Sequence, residues 1–139
     1  MKIALLMNQN AYAGREYLDQ LQRAGIPVHV ISIGTFPEVN PSEEERCGGR
    51  WRPKSMAELI RHEECASFPS LRDESLARHL EMNAYELGIQ GGTGILKAQV
   101  IDAFRLGILN FHPGDLPSYR GCSAPEWQLW DGFPVVSTC

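Results

Sequence analysis

This chain has no basic excess, no CxxC pair and no long apolar run. Thirteen Lys and Arg stand against 17 Asp and Glu, a formal net charge of −4. That balance gives no electrostatic pull toward nucleic acid or acidic lipid. The four cysteines, Cys47, Cys65, Cys122 and Cys139, are scattered. Their spacing matches no zinc motif, and no metal is expected. Free thiols in a reducing cytoplasm are the simplest reading, with Cys122 a bystander. The apolar stretch over residues 2–7 is far too short for a signal sequence or a membrane span. Internal repeats and low-complexity tracts are absent.

What remains is an ordinary globular composition, 43% hydrophobic and 22% charged over 139 residues, enough for one domain with a real core. Residues 2–7 form a continuous apolar run, which predicts a strand buried on both faces. Residues 8–14 read as a polar loop. Tyr17, Leu18, Leu21 and Ala24 recur at helical spacing, and Gly25 ends that helix. Residues 27–33 are rich in β-branched side chains and predict a second strand. This βαβ unit calls for parallel strands and a right-handed crossover.

Residues 34–53 lose the pattern and read as a long excursion. Ser55 with Glu58 makes a capping box for a helix over residues 56–62. Phe68 and Leu71 suggest a brief return to the sheet edge. Asp73 caps a helix over residues 74–83. A strand over residues 87–90 ends in the turn 91–94, and a helix is expected over residues 95–104. Another strand covers residues 107–111, a short helix residues 124–130, and a further strand begins at residue 135. The Trp127/Trp130 pair, three apart, is expected to pack in the core. The expected fold is α/β: an open, mostly parallel, Rossmann-like sheet with helices on both faces. Ligands in such sheets bind beyond the carboxyl ends of the strands.

Chemistry concentrates at Asn110 and His112. In an extended strand, that two-residue spacing puts both side chains on one face. A carboxamide donor and a titratable imidazole suit a reaction in which negative charge develops on a carbonyl oxygen. No nucleophile elbow accompanies them, which favours direct attack by a bound substrate over a covalent enzyme intermediate. A turn-forming segment with two prolines follows and fixes the loop. Arg120 either grips an anionic substrate group or pairs with Asp115. The glycines from Gly91 to Gly94 match neither a Rossmann fingerprint nor a Walker A loop. They bring main-chain groups close to a flat heterocycle, or they simply turn the chain.

The run Asn110-Phe111-His112-Pro113, followed by Leu116-Pro117-Ser118-Tyr119-Arg120-Gly121, resembles the formyltransferase N-terminal domain family. That family includes glycinamide ribonucleotide, methionyl-tRNA and sugar formyltransferases, and formyltetrahydrofolate deformylase. The resemblance is strong over residues 90–139 and topological before that. It implies an enzyme that moves a formyl group from 10-formyltetrahydrofolate to an amine. It implies that Gly92, Thr93, Gly94, Ile95 and Leu96 clasp the pterin through the backbone. Asn110 and His112 would hold the formyl oxygen while an amine of a small-molecule acceptor attacks, a ribonucleotide or a nucleotide sugar being two candidates. The family's third catalytic group is an Asp on the loop after the next strand, and no residue here matches it. The domain, residues 1–139, is therefore expected to be incomplete at its C-terminus. Two rival readings share the site: a formyltetrahydrofolate hydrolase, and a silent folate-binding module.

Overall fold

The computed structural model describes residues 1–34, 48–50, 54–60 and 65–139. By contact they divide into two compact units, Met1–Ile108 and Leu109–Cys139. In chain order the strands are β1 (Ile3–Met7), β2 (His29–Ile33), β3 (Cys65–Phe68), β4 (Leu87–Gly91) and β5 (Ile108–Asn110). The helices are α1 (Tyr12–Arg23), α2 (Met56–Leu59), α3 (Glu74–Asn83), α4 (Ala98–Ile101) and α5 (Ala124–Trp130).

The strands form one five-stranded sheet in the order β3-β2-β1-β4-β5. β1 runs parallel to β2 and β4, and β2 runs parallel to β3. The expected open α/β sheet is therefore present. Its central strand is β1, and all five of its residues are buried. Alternate side chains enter different cores, as strand geometry requires. Ile3, Leu5 and Met7 pack with Leu18 of α1 and Leu59 of α2. Ala4 and Leu6 pack with Leu76 and Leu80 of α3 and Val100 of α4. Helices thus cover both faces. Burying each Leu or Met of β1 contributes roughly 1.5–3 kcal/mol, which is why this unbroken apolar run takes the middle of the sheet.

Local signals account for the starts of α2 and α3 and the end of α1. The Ser55 hydroxyl accepts from Glu58 N–H while the Glu58 carboxylate accepts from Ser55 N–H at 2.8 Å, the expected capping box. Asp73 caps α3 by accepting from Ser75 N–H at 2.8 Å. Gly25, at φ 67°, follows α1 in the left-handed region that glycine tolerates. The excursion read over residues 34–53 lies mostly outside the described residues, as do residues 61 and 62 of the expected helix and Cys47.

Three expectations need correction. α1 starts at Tyr12, inside the expected loop, because Gly14 lets its first turn approach the sheet: a Cβ there would lie 2.7 Å from Met7 Cβ. The helix expected over residues 95–104 is only α4, Ala98–Ile101. Gly94 has φ 86° and Lys97 is extended, so the chain cannot enter a helix earlier, and Ile95 is 93% exposed instead of packed. Residues 135–139 form no strand; Thr138 makes one isolated antiparallel bridge, to His112.

Candidate functional site

In the first unit the chain runs outward from β1 through β2 to β3, then returns to lay β4 on the other side of β1. The strand order reverses between β1 and β4, where open α/β sheets bind ligands at the strands' carboxyl ends. Met7 and Gly91 end those two strands in register. The segment Gly92-Thr93-Gly94-Ile95-Leu96 leaves β4 directly from that point. Gly92 and Gly94 are both left-handed, at φ 84° and 86°. A Cβ on Gly92 would come within 2.8 Å of Ala11 Cβ, just before α1. The Gln90 amide donates to the Gly94 carbonyl and holds the turn. Thr93 Oγ1 is buried and has no hydrogen-bond partner among the described residues, which is uncommon for a hydroxyl. Gly92, Gly94 and Ile95 are exposed, and Leu96 is half-buried.

The second unit holds the motif. Asn110 ends β5 with its side chain exposed, and His112 is half-buried. The chain stays extended at His112 through its bridge with Thr138: His112 N–H donates to Thr138 O at 2.8 Å, and Thr138 N–H donates back to His112 O at 2.9 Å. His112 Nε2 lies 2.6 Å from the Tyr119 carbonyl oxygen. A carbonyl can only accept, so Nε2 carries a proton. In neutral imidazole that leaves Nδ1 as the basic nitrogen.

Tyr119 is itself tied down. Its hydroxyl donates to Asp131 Oδ2 at 3.1 Å, and its ring lies 5.4 Å from that of Phe133. Burial, and then the Asp131 carboxylate, push the phenol above its ordinary range, so it stays protonated. Arg120 is exposed and forms no ion pair with Asp115.

Three further residues shape this turn without standing out in the sequence. A side chain on Gly114 would collide with the Tyr119 carbonyl and lie 3.0 Å from His112 Nε2. The Thr138 hydroxyl accepts from Leu116 N–H at 3.2 Å and donates to the Gly114 carbonyl at 2.8 Å. Gln128 is fully buried, and its amide lies within 3.5 Å of the Pro113 and Val136 carbonyls. The glycine's place inside the motif was a usable signal. For Thr138 and Gln128 there was none, because their partners are main-chain atoms. The tryptophan expectation fails: Trp127 and Trp130 are 58% and 83% exposed, while Ala124 and Gln128 form the buried face of α5. Among the described residues, no group of His, Cys, Asp and Glu is arranged to hold a metal, and no helix is long and apolar enough to cross a membrane.

Comparison with known proteins agrees with this architecture. Residues 1–136 match the family model for formyl transferases. The cytosolic 10-formyltetrahydrofolate dehydrogenase of Xenopus tropicalis is 28% identical over 147 residues, spanning 97% of this chain but only 14% of that protein. Two solved structures share the fold. One is glycinamide ribonucleotide transformylase 1 from Symbiobacterium toebii, with TM-score 0.59, 20% identity, 95% of this chain and 60% of that one. The other is the phosphoribosylglycinamide formyltransferase of Bacillus halodurans, with TM-score 0.57, 18% identity, and 94% and 66% coverage. With its sheet, its motif and a family match over nearly its whole length, this chain belongs to the formyl transferase family.

Proposed function

We propose that this protein transfers a formyl group from 10-formyltetrahydrofolate to an amine of a small-molecule acceptor. The observation that carries the reading is the motif unit, where Asn110 and a tautomer-fixed His112 stand two residues apart on extended chain. Such spacing directs both side chains to one side. Bound donor would supply a formyl carbon open to attack. The Asn110 carboxamide donates to the oxygen on which charge develops; His112 Nδ1 takes the proton that the attacking amine gives up and, once charged, hydrogen-bonds the same oxygen. The new C–N bond forms at the acceptor, the bond to the folate nitrogen breaks, and that nitrogen takes the proton.

Gly92, Thr93, Gly94, Ile95 and Leu96 are proposed to hold the folate ring. Two left-handed glycines keep main-chain groups open to a flat heterocycle, and the unpartnered Thr93 hydroxyl fits a polar ring substituent. Arg120, free of Asp115, is proposed to meet an anionic group of the acceptor. A ribonucleotide acceptor is the first to test, since the solved relatives are named for glycinamide ribonucleotide. Purified protein with 10-formyltetrahydrofolate and glycinamide ribonucleotide, or another amine in its place, should release tetrahydrofolate and formylated product. Formate release without any acceptor would instead support the hydrolase. Folate binding with neither product would support the silent module.

A further inference from the structure

We propose that Thr138 is a positioning residue that holds His112 with Nδ1 as its working nitrogen; this rests on the role given to His112 above. The residue makes four hydrogen bonds to the motif and the turn that follows it. Its main chain exchanges two with His112 itself. Its hydroxyl accepts from Leu116 N–H and donates to Gly114 O. One side chain thereby fixes the residues on both sides of Asp115. That clamp sets the return of the chain to Tyr119, whose N–H donates to Asp115 O at 2.7 Å and whose carbonyl faces the imidazole. The carbonyl keeps the proton on Nε2, so the lone pair of neutral His112 is on Nδ1. A turn that relaxes moves the Tyr119 carbonyl and lets the ring rotate or change tautomer. Its connection to the imidazole is indirect: the hydrogen bonds of Thr138 go to main-chain atoms.

Hydroxyl chemistry separates this role from plain packing. Thr138→Val keeps the shape and removes both hydroxyl bonds, whereas Thr138→Ser keeps the hydroxyl and removes only a methyl. Two measurements test the proposal. The first is the nitrogen NMR signature of His112 in ¹⁵N-histidine-labelled protein, assigned by its loss in His112→Ala. Wild type should show Nε2 protonated and Nδ1 bare at a pH where the ring is neutral. Thr138→Ser should match it, and Thr138→Val should show mixed tautomers. The second is formyl transfer, in which Thr138→Val should lower kcat about tenfold with KM little changed, while Thr138→Ser stays near wild type.

A wild-type ring protonated at Nδ1 overturns the proposal. So does a valine variant that keeps both the ring signature and kcat, or a serine variant that loses as much as valine. The wild-type spectrum decides the tautomer even if the valine chain does not fold. It also needs no turnover, so a protein without transferase activity would count against the proposed function and leave the ring assignment to be judged on its own.

Discussion

Gly114 shows how closely the motif is built around one imidazole. Only a hydrogen fits where a Cβ would meet the Tyr119 carbonyl, the Ala124 methyl and His112 Nε2. Gly114→Ala is therefore expected to displace the His112 ring and to lower formyl transfer by on the order of 10²-fold, the cost of misplacing a reacting group by about 1 Å. Circular dichroism should show the sheet retained, because the atoms a Cβ would meet first, on His112, Tyr119 and Ala124, all lie within residues 109–139. An alanine variant with wild-type turnover would mean that the turn yields without disturbing the histidine. At this scale the sequence was readable where chemistry has a pattern: Asn110, His112 and the glycines following β4 all announce themselves. Thr138 and Gln128 were not readable, because a side chain that bonds to main-chain atoms leaves no spacing rule behind. The tryptophans misled because large aromatics are usually buried, whereas α5 buries Ala124 and Gln128.

Two helices, α2 and α3, begin at side-chain caps, and the stability of such ends can be tested. α3 begins at Asp73 and ends at Ala84, which has φ 47° and ψ 53° in the left-handed region and donates to Leu80 O. Asp73→Ala should cost about 1 kcal/mol in urea unfolding. Ala84→Gly should move stability the other way by up to about 1 kcal/mol, since glycine takes that conformation without a Cβ clash. No gain from glycine would show that the unfolded chain's extra freedom cancels the relief. The start of α3 and the capping box of α2 were legible because polar caps and apolar periodicity agree. The short α4 was not. Ile95 and Leu96 continue the apolar stripe, yet the left-handed Gly94 and extended Lys97 delay the helix, and backbone conformation overrides periodicity. The stretch 135–139 looked like a strand for its β-branched residues, but Thr138 finds a single backbone partner in His112.

Across the molecule, two ionic clusters of the first unit give stability distinct pH dependences. His79 packs against Phe68 and Tyr85, lies 3.1 Å from the Tyr85 hydroxyl, and shares its surroundings with Lys2, His29 and Asn83. Burial first, and then the positive charges of Lys2 and His29, hold its pKa below the ordinary 6.5. The unfolded chain then binds the proton more readily, so this contribution is complete above about pH 6.5 and declines as pH falls. Unfolding followed from about pH 7.5 to 5.5 should show that decline, and His79→Gln should flatten it. Asp19 acts in a lower window. Hydrogen bonding to Lys54, then the charge of Arg23, lowers its pKa against the cost of burial. Its contribution is present above about pH 4 and lost as pH falls below, so Asp19→Asn should blunt acid unfolding only there. The open parallel sheet itself was the most legible feature, because the unbroken run in β1 has no stable place except between two layers of helices.

The account rests on Asn110 and His112 acting together on one oxygen, and turnover by their alanine variants tests it most directly. With 10-formyltetrahydrofolate and an accepted amine, Asn110→Ala and His112→Ala should each lower formyl transfer by about 10² or more, with thermal unfolding and folate binding close to wild type. Near-normal transfer by either folded variant would contradict it.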